Sequence, residues 1–408
     1  MRIDIENADL AAPLRTIVDV IRAHDGFVAE DFIVRERGGE FSCAIGTRAG
    51  EPDRILIDYS PALMPPLFRI EWSDRGDQVQ PLGGLEALSP PQRHLLEAWL
   101  SLVNLTGKLD RVRRSLPRLA ITSWDLRHHL AAGGFTAMAS PPTPSDARDL
   151  MFGWYSSPAP RAAGPTGPTR WFLIPLKHFV NHDPAGAGNP SGPGRVAVAT
   201  SATSDATETF ENYGNLDALQ LLLMFGFVSA NAPLVQSVPV TVHSPTLGQV
   251  TIVGRGFRSQ RRTLHPMGGH SPTIRATPDG VDLSHVTILR DNRKVVASML
   301  ALAIRSQSEI NKRRSSRASG ATRAQAEAEQ LLDNILAANQ QYYRRLDELI
   351  AAAVTGSAEA LVPVSAHRDT WPASVQVPRL PQTPHDEVHR MLAAVSQIQQ
   401  RHLAEFWG

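Results

Sequence analysis

The chain has 408 residues, 42% hydrophobic and 20% charged, more than one hydrophobic core normally sustains, so a single small module is excluded and two domains, or one with large insertions, are expected. With 41 basic against 40 acidic side chains, the global electrostatic footprint of nucleic-acid binders is missing, and any polyanion site has to be local. The basic set is 37 Arg and only 4 Lys (Lys108, Lys177, Lys294, Lys312). The lone cysteine, Cys43, excludes an internal disulfide and fits a reducing compartment, so a cytoplasmic location is expected.

The N-terminus lacks a basic region followed by an apolar one, so no secretory signal is expected. Leu10, Leu14, Ile17, Val18 and Ile21 fall at helical spacing over residues 8–23, and residues 31–72 change to short strand-like runs broken by Gly and Pro. Ser89-Pro90-Pro91-Gln92 reads as a helix start, with Ser as cap, Pro in the first turn and Gln three places on. A helical insert is expected over about 89–150, with Leu95, Leu96, Trp99, Leu102 and Val103 on one face. Turn formers crowd Ser156 to Thr169 and Asp183 to Arg195 on either side of the apolar run Trp171 to Ile174.

Beyond residue 233, β-runs at Val238 to Val242, Val250 to Val253 and Val286 to Leu289 give way to helical patterns over Val295 to Ile310, Thr322 to Ala353 and Thr383 to Phe406. The longest apolar stretches, Leu221 to Val228 and Val295 to Ile304, fall short of the roughly 20 residues that span a bilayer, and no membrane segment is expected. The basic run Lys312 to Arg317 has no stacking aromatics beside it and reads as a solvated helix connection, with no nucleic-acid partner expected.

Among common catalytic patterns, G-x-x-x-x-G-K-[ST], G-x-S-x-G and H-E-x-x-H are all missing. His128 and His129 cannot face one metal from adjacent helix or strand positions and are expected on a helix surface, and no metal site is expected. Cys43 lies in the apolar run Phe41 to Ile45 and reads as a buried small hydrophobe.

Two segments carry a more specific signal. The first is Phe172-Leu173-Ile174-Pro175-Leu176-Lys177-His178-Phe179-Val180-Asn181-His182. The second is Glu211-Asn212-Tyr213-Gly214, followed by Leu221 to Val228. In order and spacing they resemble the SET-domain methyltransferases, in particular the subfamily with the Rubisco large-subunit lysine methyltransferase and the actin-histidine methyltransferase. That subfamily reads roughly L-[IV]-P-x-x-D-x-x-N-H, then Y-G, then L-L-x-Y-G-F-V. Weaker matches extend the resemblance to Gly38 to Ala44, Ser115-Leu116-Pro117, Trp124-Asp125-Leu126, and Phe152-Gly153-Trp154 with Arg161.

The resemblance implies an α+β fold with small twisted sheets, a knot-like threading and the helical insert. It implies a SET-like catalytic domain over 1–232 and a mainly helical substrate-binding domain over 233–408. It also implies S-adenosylmethionine as cofactor, held by Asn181 and His182 and bordered by Arg161, Gly39 and Phe41. Tyr213 would be the catalytic tyrosine, and Phe225, Phe227 and His178 would border the substrate channel. The activity implied is N-methylation of a protein or peptide side chain, lysine before histidine; a peptide natural product is not separated from these by sequence, and oligomeric state is left open.

Methyl transfer suits these residue types: it needs an unprotonated nitrogen aligned behind the methyl, and burial disfavours the ammonium form. Four departures stand beside the match. His178 replaces an acidic residue, Phe225 a tyrosine and Ala218 an asparagine, and the second glycine of the N-terminal motif is missing. They motivate the alternative of a SET-like protein- or peptide-binding module without transfer chemistry.

Overall fold

The computed structural model describes residues 1–46, 53–60, 63, 70–73, 78–81, 83–107, 117–121, 123–140, 156–158, 171–173, 175–187, 195–201, 204–214, 216–255, 272–289, 293–311, 317–354, 361–363, 376–378 and 384–407. Helices and small sheets are mixed throughout, as in an α+β fold. Two compact units emerge: Met1–Arg114 with Thr143–Gly214, and Ser115–Pro142 with Asn215–Gly408.

In the first unit, strand β1 (Arg2–Ile5) precedes helix α1 (Ala11–Ala23), whose buried face is the expected Leu14, Ile17, Val18 and Ile21. Strands β2 (Phe27–Val28), β3 (Phe32–Arg37), β4 (Glu40–Ile45) and β5 (Ile55–Tyr59) follow. β1 pairs parallel with β3, and β3 antiparallel with β4. The β3–β4 link is two residues, Gly38 and Gly39, with φ of 55° and 81°; two successive positive φ values are the type I′ hairpin geometry that glycine adopts without strain. β6 (Ile70–Trp72) and β7 (Val79–Pro81) form a hairpin ahead of α2 (Pro90–Thr106).

α2 starts as its sequence specifies, Ser89 N–H donating to Gln92 Oε1 at 3.1 Å, and stops at Gly107, where φ is 59°. Its apolar face packs against α1.

The described helices after α2 within the expected insert, α3 (Pro117–Ala120) and α4 (Trp124–Ala132), belong to the second unit. On α4 the two histidines diverge. His128 is exposed, edge-on to Trp124, whereas His129 departs from the expected surface position: it is half-buried, stacked on Tyr342 at 4.2 Å, with a ring nitrogen 2.9 Å from the Tyr342 carbonyl.

β8 (Ser156–Pro158) pairs with β9 (Trp171–Leu173). β10 (Asn181–Ala187) pairs parallel with β12 (Phe210–Glu211), and β11 (Val196–Ala199) pairs antiparallel with β5. The turn formers at Asp183 to Ala187 thus lie in strand. Asp183 Oδ1 accepts the Ala185 N–H at 2.7 Å, an Asx turn housed in a bulge between His182 and Ala187.

The second unit resumes with α5 (Ala218–Phe225), capped by Asp217 and Gln220 in a reciprocal box and ended by Gly226 at φ 73°. β13 (Leu234–Gln236) pairs with β18 (Thr287–Leu289). A four-stranded sheet has the order β14 (Val240–Ser244), β15 (Gly248–Ile252), β17 (Gly280–Leu283), β16 (Ile274–Thr277). Helices α6 (Arg293–Asn311), α7 (Arg317–Ala353) and α8 (Pro384–Trp407) follow, with a short β19–β20 pair (Leu361–Pro363, Gln376–Pro378) between the last two.

The packing division after Gly214 has a physical cause. Asp217, which caps α5, also accepts the Gln236 N–H at 2.9 Å and pairs with Arg255 at 2.6 Å, and this ties the Leu221 to Val228 run into the second unit's core.

Candidate functional site

The two motif segments meet in the first unit. After β9 the chain turns sharply at Leu176, a fully buried residue with φ 66° and ψ −41°, and Lys177 N–H donates to Pro175 O at 2.9 Å. An i to i+2 bond around a positive φ is the strained form of γ-turn. Tyr59 Oη donates to the same Pro175 carbonyl at 2.9 Å. A single 3-10 turn, Lys177–Phe179, then delivers Val180 and the start of β10.

Tyr213, two residues past β12, is bound to this segment at both ends. Its backbone N–H donates to His182 Nδ1 at 3.0 Å and its hydroxyl donates to Val180 O at 2.7 Å. Burial, with the nearby Glu211 carboxylate, pushes the Tyr213 hydroxyl far above the ordinary phenol range, so it is neutral at physiological pH. A phenol that donates to a carbonyl presents its oxygen to a further partner as an acceptor.

Burial lowers the His182 pKa to about 4, against the opposing pull of a hydrogen bond with the Glu211 main chain and of Asp183. The ring is therefore neutral, which its acceptor role toward Tyr213 requires. A ring that stays neutral in the fold but titrates near 6.5 in the unfolded chain contributes full stability above pH 6.5. That contribution is lost as pH falls toward 4, by up to about 3 kcal/mol. Urea unfolding at pH 7.5 and 4.5 is expected to show this loss in the parent chain and a smaller one in His182→Gln; an identical loss in both would exclude the ring as its source.

Asn181 Nδ2 donates to Glu208 Oε1 at 2.5 Å. Lys177 and Glu211 form a buried ion pair, Nζ to Oε1 at 2.8 Å, each side chain 8% exposed. Burial raises the Glu211 pKa, and Lys177 opposes that shift.

The remaining expected site residues divide. Phe41 is buried and stacks on Phe179 at 4.0 Å, and half-buried His178 lies edge-on to Phe179 at 4.2 Å and to Trp99 at 6.2 Å. The Gly39 N–H donates to the buried carboxylate of Glu36 at 2.5 Å, which also takes the Glu6 and Asn7 N–H groups. Phe225 and Phe227 belong to the second unit, both half-buried, with ring centroids 6.3 Å apart across Gly226. Arg161 and Phe152-Gly153-Trp154 lie outside the described residues.

Sequence reasoning assigned no role to Lys177, Glu208 or Glu211. Lys177 carried a weak signal as one of 4 lysines, set in an apolar motif; Glu208 carried none.

The donor set is compatible with S-adenosylmethionine. Asn181 brings an amide oxygen, Glu208 a carboxylate for a cationic end, and Tyr213 a neutral oxygen for an electropositive methyl. The His182 ring and the Gly39 N–H are already engaged within the fold. Among the described residues no cluster of three or more His, Cys, Asp and Glu has metal-binding geometry, and no helix is long and apolar enough to cross a membrane.

No family model matches the chain, and no curated protein does. Among solved structures, Rubisco LSMT bound to sinefungin and monomethyllysine is similar at 8% identity and a TM-score of 0.38, over 96% of this chain and 90% of that one.

Proposed function

We propose that this chain is an S-adenosylmethionine-dependent N-methyltransferase of the SET type acting on a protein or peptide side chain, lysine before histidine. The observation that carries the reading is the double attachment of Tyr213 to the Val180–His182 segment, at 3.0 Å through its N–H and 2.7 Å through its hydroxyl. It joins the two motifs on which the resemblance rests.

S-adenosylmethionine, when bound, supplies an activated methyl group. Asn181 would hold its polar end, and His182 fixes the Tyr213 main chain. Tyr213, its proton donated to Val180 O, would offer its oxygen as an acceptor to the activated methyl group. A neutral phenol does not deprotonate the substrate, so the target nitrogen has to lose its proton in an apolar channel, where burial disfavours the ammonium.

By the resemblance alone, Phe225, Phe227 and His178 are proposed as substrate-channel residues, and Gly39, Phe41 and Arg161 as residues bordering the cofactor. The proposal keeps a catalytic domain over 1–232 with knot-like threading, and a substrate-binding domain over 233–408. The location proposed is cytoplasmic.

Engagement of the His182 ring and the Gly39 N–H inside the fold favours the second reading, a SET-like binding module without transfer. Calorimetry with S-adenosylhomocysteine and tritium-methyl transfer to lysate proteins separate the two. The enzyme reading expects binding and labelling, with Tyr213→Phe lowering turnover about 100-fold, the scale of one oriented polar group at a reacting centre, while S-adenosylhomocysteine affinity changes less than about 3-fold. No binding heat at millimolar ligand overturns it.

A further inference from the structure

Strand β1 is an edge of the sheet ordered β1, β3, β4, and its phase decides which main-chain groups face outward. Glu6 N–H donates to Glu36 O at 3.3 Å, next to the parallel pairing of Ile5 with Glu36. In a parallel ladder alternate residues bond to a given neighbour, so Asp4 and Glu6 turn their groups toward β3. Ile3 and Ile5 then turn N–H and C=O away from it, and among the described residues nothing pairs with that outer edge.

A cavity of about 290 Å³ is lined by Met1 and Ile3 at β1 and by Arg15, Val18, Asp19 and Arg22 of α1. No β3 residue lines it, which places it on the open side of β1. Met1 and Ile3 are half-buried and Val18 is buried, so its floor is apolar. Arg15, Asp19 and Arg22 are exposed and follow at i, i+4 and i+7, one stripe of the helix. Arg22 donates to Val28 O at 3.1 Å, and among the described residues neither arginine has a carboxylate at ion-pair distance. Two guanidinium groups against one carboxylate leave the groove cationic.

An open strand edge beside a groove is the geometry of strand addition: main-chain hydrogen bonds hold an extended segment, and its alternate side chains enter the groove. From this juxtaposition we infer that β1 and α1 form a docking site for an extended segment of a protein partner with acidic side chains at alternate positions. Its main chain pairs with Ile3 and Ile5, and its carboxylates lie along Arg15 and Arg22. The docking site shares no residue with the Asn181–Tyr213 site and does not depend on the methyltransferase reading.

The test is fluorescence anisotropy on the full chain in low-salt buffer with two labelled peptides, acetyl-Thr-Glu-Val-Glu-Val-Glu-Thr-amide and the same sequence with Lys for each Glu. The Glu peptide is expected to bind at least about 10-fold tighter than the Lys peptide. Arg15→Glu, a change at an exposed side chain, is expected to weaken Glu-peptide binding about 5-fold without moving the unfolding midpoint. Hydrogen exchange at the Ile3 and Ile5 N–H groups should slow when the Glu peptide binds, while that at Asp4 stays as it was. Equal binding of the two peptides, no binding of either at millimolar concentration, or no slowing at Ile3 and Ile5 overturns the inference. So does slow exchange at both positions in the free chain together with a dimer by light scattering, which would assign the edge to a second copy.

Discussion

Replacing Arg255 by methionine is expected to destabilise the second unit by about 3–5 kcal/mol, because it strands a buried charge. Asp217 and Arg255 are both fully buried and 2.6 Å apart. Arg255 also donates through Nε to Gly133 O at 2.6 Å and through Nη2 to Tyr343 Oη at 3.3 Å, and its guanidinium lies 4.8 Å from the Phe135 ring centroid. Asp217 in turn accepts the Gln220 and Gln236 N–H groups at 2.8 and 2.9 Å.

The pair therefore joins the α4 end, the cap of α5, β13 and α7. Methionine fills most of the volume and removes every donor. At roughly 2–4 °C per kcal/mol for a unit of this size, the midpoint of thermal unfolding should fall by about 10 °C. Adding Asp217→Asn should recover part of the loss by removing the uncompensated charge. A single-variant loss below about 1 kcal/mol would show that the charge finds water instead.

The second large effect concerns Lys177→Met, expected to cost about 3 kcal/mol near neutral pH through the same physics at Glu211. Here the sign of the pH dependence is diagnostic. Burial already raises the Glu211 pKa with Lys177 in place, and removing the cation raises it further. A carboxyl whose folded pKa lies above its unfolded value contributes most below the unfolded value, and that contribution fades as pH rises through the folded one. The deficit of the variant relative to the parent should therefore shrink as pH is lowered from 8 toward 5. Lys177→Met with Glu211→Gln should recover much of the stability. A deficit that does not vary with pH would point to lost packing of the lysine stem instead.

Local signals in the sequence carried the helices. The Ser89-Pro90-Pro91-Gln92 start of α2 and the three C-terminal helices appear where apolar spacing and caps put them. Asp183 to Ala187 reads as turn because Asp, Pro and Gly are turn formers, yet its Asx turn sits within a strand bulge supported by pairing with β12.

The site shows the same division. Asn181, His182 and Tyr213 were expected at the proposed site from their motifs, and the fold brings the three together. Glu208 lies 27 positions from Asn181 and Lys177 lies 34 from Glu211, and no local pattern announces pairings that arise where the segments around β10 and β12 meet. The helical insert divides between the units, and its second part is tied to the second unit where Arg255, paired with Asp217, donates to Gly133 O.

The γ-turn at Leu176 has a consequence for when the site can exist. A left-handed leucine costs about 1–3 kcal/mol that its own segment does not return; the compensation is burial of its side chain in the first unit's core. An excised peptide spanning residues 171–187 would relax to extended backbone at Leu176 and lose the geometry that Asn181 needs. The local shape of the proposed site is thus conferred by completion of the surrounding unit, and a fragment lacking α1 or β4 would carry the first motif without the means to shape it.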